Sequence, residues 1–237
     1  MRIMQQTVSR NGDQQIHCHE WFARDHADRV VLIYPTWAGI SDFERTVARR
    51  LNESGMEAVI VDFHSNTCDL SSVEARYSAM HRYTRDIAYM SHHLYELNDW
   101  IRNQLGNRSN HAPDAFSVLG FCLGGMCALM SGQTQQGLVN AISFHGLLSF
   151  PKSTPPADPS TRFIILNGLG DPMVPKTDVQ ETQDYFETHQ QELCLINFSC
   201  TQHSFAIPGA DDADIGVQYN PEVAERSWRY ALDFLTE

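Results

Sequence analysis

Apolar positions along this chain come in two spacings. Short unbroken runs of strand length recur, and longer stretches with helical patterning lie between them. Arg29–Tyr34 (RVVLIY) has a buried-strand pattern, and Glu57–Asp62 (EAVIVD), Ala115–Leu119 (AFSVL), Ala141–Phe144, Phe163–Leu166 and Leu193–Phe198 read as further strands. Ile3–Ser9 and Gln15–Phe22 flank Asn11-Gly12, the strongest short hairpin signal, and predict an antiparallel edge. Ser41-x-x-Glu44 predicts a capping box that opens a helix, with Gly55 suited to its C-terminal cap. Ser71-x-x-Glu74 opens a second helical region that runs to about Gln104. Met126–Gln133 and Pro221–Leu235 complete the helices, the last with proline in its first turn.

Strand–helix alternation of this kind predicts the α/β class: a mostly parallel central sheet with helices on both faces and an antiparallel N-terminal edge. The polar, proline-rich segment Pro151–Thr161 lies between two strands of the same pattern and reads as an excursion. One domain spanning residues 1–237 is expected.

Composition narrows the function. Apolar residues make up 42% of the chain, enough for a sizeable core, and the formal net charge is −12. A chain this acidic repels phosphates, which argues against nucleic acid and anionic membranes as partners. The N-terminal segment lacks the apolar centre of a signal peptide, and the longest apolar run, Val30–Tyr34, is far too short to span a bilayer. A cytoplasmic protein is expected. Its six cysteines then sit in a reducing compartment, where a cysteine in a special setting becomes a candidate for chemistry.

Cys122 has such a setting. Gly120-Phe121-Cys122-Leu123-Gly124-Gly125 joins a strand to a helix, the context of the nucleophile elbow, with cysteine at the nucleophile's position. The elbow turns sharply, so the residues two before and two after the nucleophile must be tiny. Its position at a helix N-terminus favours a thiolate. Cys127, further along the helix, reads as packing.

A thiolate hydrolase needs a base and a group that orients it, in the chain order nucleophile, acid, histidine. Asp171 ends the FIIL strand in a Gly/Pro-rich turn, and His203 follows LCLINF. Asp171 alone reads better as an ordinary turn or N-cap residue, but three pieces in order, each at a strand's C-terminal end, support one another. His145 precedes the acid and is expected to line the pocket, while Asp211, Asp212 and Asp214 read as a solvated acidic loop. The oxyanion hole is expected from the backbone N–H groups of Leu123 and Trp37. Thr36, Phe121, His145, Phe205 and Ile207 are the candidate substrate contacts.

With these residues in place, the chain resembles the dienelactone hydrolase family from about Val30 to Phe234. The resemblance rests on GFCLGG, the GLGDPMVP loop, the HSFA block and the tail YNPEVAERSWRYALDFL. It implies an α/β-hydrolase fold and a Cys–His–Asp triad that cleaves small esters or lactones without a cofactor, in a monomer or homodimer. Members acting on dienelactone carry a glutamate where Thr36 stands here. They carry a carboxylate-binding arginine where Ile207 stands, and Arg82 or Arg85 is the loose match for a second arginine.

Three rival readings have distinct signatures. A catalytically idle fold used for binding predicts an ordinary thiol at Cys122. A metal site would have to draw on His17-Cys18-His19 or His92-His93, which do not supply four convergent ligands. A thiol redox sensor would need a resolving cysteine, and no C-x-x-C pair is present.

Overall fold

Mostly apolar strands form the middle of the sheet. The computed structural model describes residues 1–10, 12–24, 27, 29–106 and 116–237; Asn11 of the predicted turn and Ala115 of one predicted strand lie outside them. The elements run β1 (Arg2–Arg10), β2 (Asp13–Phe22), β3 (Val30–Tyr34), α1 (Asp42–Glu53), β4 (Glu57–Ile60), α2 (Val73–Thr84), α3 (Ile87–Gly106), β5 (Phe116–Phe121) and α4 (Leu123–Thr134). They continue β6 (Leu138–Phe144), β7 (Arg162–Gly168), α5 (Lys176–Thr188), β8 (Leu193–Phe198), β9 (Asp211–Asp212), β10 (Val217–Gln218) and α6 (Pro221–Thr236).

Among the described residues the main sheet has the order β1-β2-β4-β3-β5-β6-β7-β8. From β4 to β8 the pairings are parallel, whereas β2 pairs antiparallel with both β1 and β4. The predicted architecture is therefore present, antiparallel edge included. Alternation along β3 shows how both faces are filled. Val30, Leu32 and Tyr34 join the core under α3, α4 and α5, while Val31 and Ile33 join the core under α1 and α6. Each such aliphatic side chain, once buried, contributes about 1.5–3 kcal/mol.

The capping box at Ser41 forms as predicted: the Ser41 Oγ accepts the Phe43 N–H, and the Glu44 carboxylate accepts the Ser41 N–H at 2.9 Å. Two boundaries differ from the sequence reading. The long helical region starts one residue later, capped by Ser72 through the Ala75 N–H, and it breaks after Thr84. Asp86 causes the break by accepting the Tyr89 N–H and capping a fresh helix, α3. Second, α4 begins at Leu123 and not at Met126. Glycine at 124 and 125 is poor helix chemistry in water, but almost all of this helix is buried, and packing decides.

Candidate active site

The elbow is a steric construction. Cys122 has φ 56 and ψ −120, a strained conformation for a residue with a side chain, and it caps α4. A Cβ on Gly120 would stand 1.9 Å from the Gly124 carbonyl oxygen, and one on Gly124 would stand 2.3 Å from the Tyr34 carbonyl oxygen. No side chain fits at either position. The thiol is thereby held at the C-terminal edge of β5 between two loops, and only a sliver of Cys122 is exposed.

Asp171 and His203 meet on the next loops. The His203 Nδ1–H donates to Asp171 Oδ2 at 2.6 Å, with both side chains buried. The other Asp171 oxygen accepts the Met173 N–H at 2.8 Å. Two backbone bonds lace the acid's loop to the segment leading to the histidine: Gly170 N–H to the Thr201 carbonyl, and Leu169 N–H to the Phe198 carbonyl. His203 Nε2 is buried, and Cys122 is the ring's second interaction partner after Asp171. Burial works against charge on this ring. The Asp171 hydrogen bond and then Cys122 outweigh it, so the His203 pKa is pushed up to about 10.

A third element holds the histidine, and it is not legible as such in the sequence. The His203 N–H donates to the Gly216 carbonyl at 2.8 Å, and the Gln218 N–H donates back to the His203 carbonyl at 3.0 Å. Asp211, Asp212 and Asp214 are solvent-exposed, as expected of an acidic loop, yet they belong to a small β9–β10 hairpin. Gly216 has φ +80, and a Cβ there would lie 2.3 Å from Pro172 Cγ. The hairpin thus grips the base through its backbone and the acid's loop through Pro172. The available signal was a glycine directly after Asp-Ile, in the left-handed position that ends a short turn.

The loop after β3 is held from below. Glu44, fully buried, also accepts the Thr36 N–H at 3.3 Å, so one carboxylate ties the cap of α1 to the loop after β3. The N–H groups of Ala38 and Gly39 turn inward to Thr36, at 3.3 and 3.0 Å. The Trp37 N–H has no partner among the described residues. Leu123 is the first residue of α4, so its N–H has no carbonyl a turn earlier to bond.

The remaining candidates sit at different depths. Phe121, His145 and Phe205 are buried, and His145 meets its neighbours edge-on or tilted: its ring lies 5.3 Å from His203, 5.1 Å from Phe205 and 6.0 Å from Phe121. Burial, then the charge on His203, holds the His145 pKa well below its ordinary value, so the two neighbouring imidazoles do not compete for a proton. Ile207 is half-buried, in a turn where its N–H donates to the Ser204 carbonyl at 2.9 Å. Arg82 donates to the Cys68 sulfur at 3.5 Å. Burial raises the Cys127 thiol well above its ordinary pKa, which makes it inert. The histidines of β2 are structural: His17 Nδ1 lies 2.7 Å from the Asp62 carbonyl oxygen, and His19 Nε2 lies 3.2 Å from Gln6 Oε1. Among the described residues, no group of three or more His, Cys, Asp or Glu is arranged to hold a metal ion.

Comparison with known proteins agrees with this fold. The dienelactone hydrolase family model matches residues 21–237. A probable 2-oxo-3-(5-oxofuran-2-ylidene)propanoate lactonase from Bradyrhizobium sp is 27% identical over 217 residues, covering 87% of this chain and 82% of that protein. Among solved structures, a dienelactone hydrolase-like promiscuous phosphotriesterase from metagenomic libraries superposes with a TM-score of 0.83 at 19% identity, covering 99% of this chain and 97% of the other. A carboxylesterase from Lactobacillus plantarum superposes with a TM-score of 0.64 at 16% identity, covering 100% and 97%. At those identities the superpositions speak for the fold.

Proposed function

The chain belongs to the dienelactone hydrolase family, and from that premise we propose that it hydrolyses small carboxylic esters or lactones through a thioester on Cys122. The observation that carries this reading is the buried 2.6 Å hydrogen bond from His203 to Asp171, with Cys122 as the ring's second interaction partner.

The raised His203 pKa favours an imidazolium at neutral pH, the partner that stabilises a Cys122 thiolate. The thiolate attacks the ester carbonyl, and the Trp37 and Leu123 N–H groups receive the oxyanion. As the tetrahedral adduct collapses, the imidazolium gives its proton to the departing alkoxide, and a thioester remains. The sulfur is now uncharged, so one of the forces that held a proton on His203 has gone. The neutral ring then takes a proton from water, the hydroxide attacks the thioester, and the acid leaves with the thiolate–imidazolium pair restored.

Iodoacetamide labelling tests the proposal. At neutral pH one equivalent should abolish p-nitrophenyl acetate hydrolysis, and the carbamidomethyl mass should map to the Cys122 peptide ahead of exposed Cys18, Cys194 and Cys200. Full activity after Cys122 is labelled would refute a covalent role for it. An unreactive thiol in a chain inert to esters would favour an idle binding fold.

The β9–β10 grip has its own test. In Gly216→Ala the new methyl group must displace Pro172 or the His203 backbone. Misplacing a catalytic group by about 1 Å can lower kcat by about 10²-fold, so we expect a loss of that order with KM little changed. Steady-state kinetics beside a thermal melt separate this from unfolding. Equal losses in kcat and in folded fraction would reduce Gly216 to a stability residue.

A further inference from the structure

The rim around the buried thiol has a chemistry of its own. Leu169, Met173 and Ile215 are large apolar side chains left 46, 40 and 58% exposed. All three belong to the acid-and-base side of the site. Leu169 lies two residues before Asp171, Met173 donates its N–H to the Asp171 carboxylate, and Ile215 directly precedes the Gly216 that holds His203. Across the thiol, the Trp37 ring meets Tyr77 edge-on at 5.3 Å. Tyr77 is 49% exposed, and Val73, one helical turn earlier on α2, is 58% exposed. Isolated exposed apolar residues need no explanation, but three carried by the segments bonded to Asp171 and His203 offer an apolar surface beside them.

The charges in the same segments point one way. Asp211, Asp212 and Asp214 project from the hairpin bonded to His203, and Asp178 lies in the first turn of α5. Lys176 shares that first turn, and Lys152 interacts with Asp178 and Glu181, while the hairpin itself carries no cation. The chain as a whole carries a net charge of −12. An anion approaching His203 therefore meets a repulsive field.

Resting on the hydrolase reading above, we propose that this site selects uncharged esters with an apolar acyl or alcohol group and turns away substrates bearing a free carboxylate. Met173 and Ile215 supply the apolar contact, and the hairpin aspartates supply the repulsion.

The test uses two esters matched in acyl length, p-nitrophenyl hexanoate and p-nitrophenyl hydrogen adipate, which differ by a terminal carboxylate. The ratio of their kcat/KM values is measured at low and high salt, in the wild type and in an Asp211→Asn, Asp212→Asn, Asp214→Asn variant. A ratio taken within one protein cancels any change in folded fraction. We expect hexanoate to be preferred roughly tenfold or more at low salt. The gap should narrow at high salt, where the screening length falls from about 30 Å to below about 10 Å, and it should narrow likewise in the triple variant. Ile215→Ala should raise the KM for hexanoate more than that for acetate. Adipate cleaved as well as hexanoate, or a gap indifferent to both salt and the aspartates, would overturn the selectivity and leave the hydrolase reading standing. If neither ester is cleaved and Cys122 resists alkylation, both readings fall together.

Discussion

Asp171→Asn should lower kcat for p-nitrophenyl acetate by roughly 10⁴-fold while KM moves little, a loss of the order seen when an orienting carboxylate is neutralised in a hydrolase triad. The reason lies in the balance of forces on His203. Burial disfavours its charge, and the Asp171 hydrogen bond with Cys122 reverses that, up to a pKa of about 10. A group raised in this way keeps its proton below about pH 10 and loses it above. In the wild type the alkaline limb of kcat/KM should therefore fall near pH 10. In Asp171→Asn the carboxylate's share is gone and burial is not, so the limb should move toward the ordinary histidine value of 6.5 or lower. The same sign governs stability: the His203–Asp171 contribution is complete below pH 6.5 and declines as pH rises toward 10. A pH–rate profile of the two proteins is sufficient. A variant whose alkaline limb stays near pH 10 would remove Asp171 from the role assigned to it.

Gly120→Ala should be more damaging still, because it strikes the fold and the nucleophile together. The new Cβ would stand 1.9 Å from the Gly124 carbonyl oxygen and 2.9 Å from the Gly125 nitrogen, all backbone atoms with no rotamer to yield. Strain against backbone in a close-packed core exceeds the usual ~1–3 kcal/mol of overpacking. At about 2–4 °C per kcal/mol for a chain of this size, the melting temperature should fall by about 10 °C, or the protein should not accumulate in soluble form. Gly55→Ala is the control. Gly55 has φ +90 but nothing within 4 Å of a new Cβ, so only the left-handed backbone is penalised, by roughly 1–2 kcal/mol. Equal behaviour of the two variants would mean that conformational freedom, and not space, is what Gly120 supplies.

Local chemistry decides what could be read in advance. Cys122, Asp171 and His203 each follow an apolar run in a turn-rich segment, so their types and order are visible in one dimension. The capping box of α1 was visible because all its parts lie within four residues. Its second task was not: Glu44 also reaches back to the Thr36 N–H, and no periodicity encodes a carboxylate shared between a helix cap and a strand-end loop. The break between α2 and α3 depends on Asp86 finding the Tyr89 N–H, which competes with an otherwise unbroken helical pattern. Gly216 was invisible for a stronger reason. Its meaning comes from Pro172, a residue more than forty positions away that only the assembled strands bring near.

That distance has a consequence for a broken chain. Domains fold as units, so a cut inside one removes support from parts made earlier. The elbow ends β5, between β3 and β6, and the Cys122 N–H donates to the Phe144 carbonyl of β6. Asp171, His203 and the strand bonded to the His203 backbone all come later in the chain. On the proposed mechanism, a chain nicked just before Val217 would hold His203 through a severed hairpin, and the thiol would lose its anchored base.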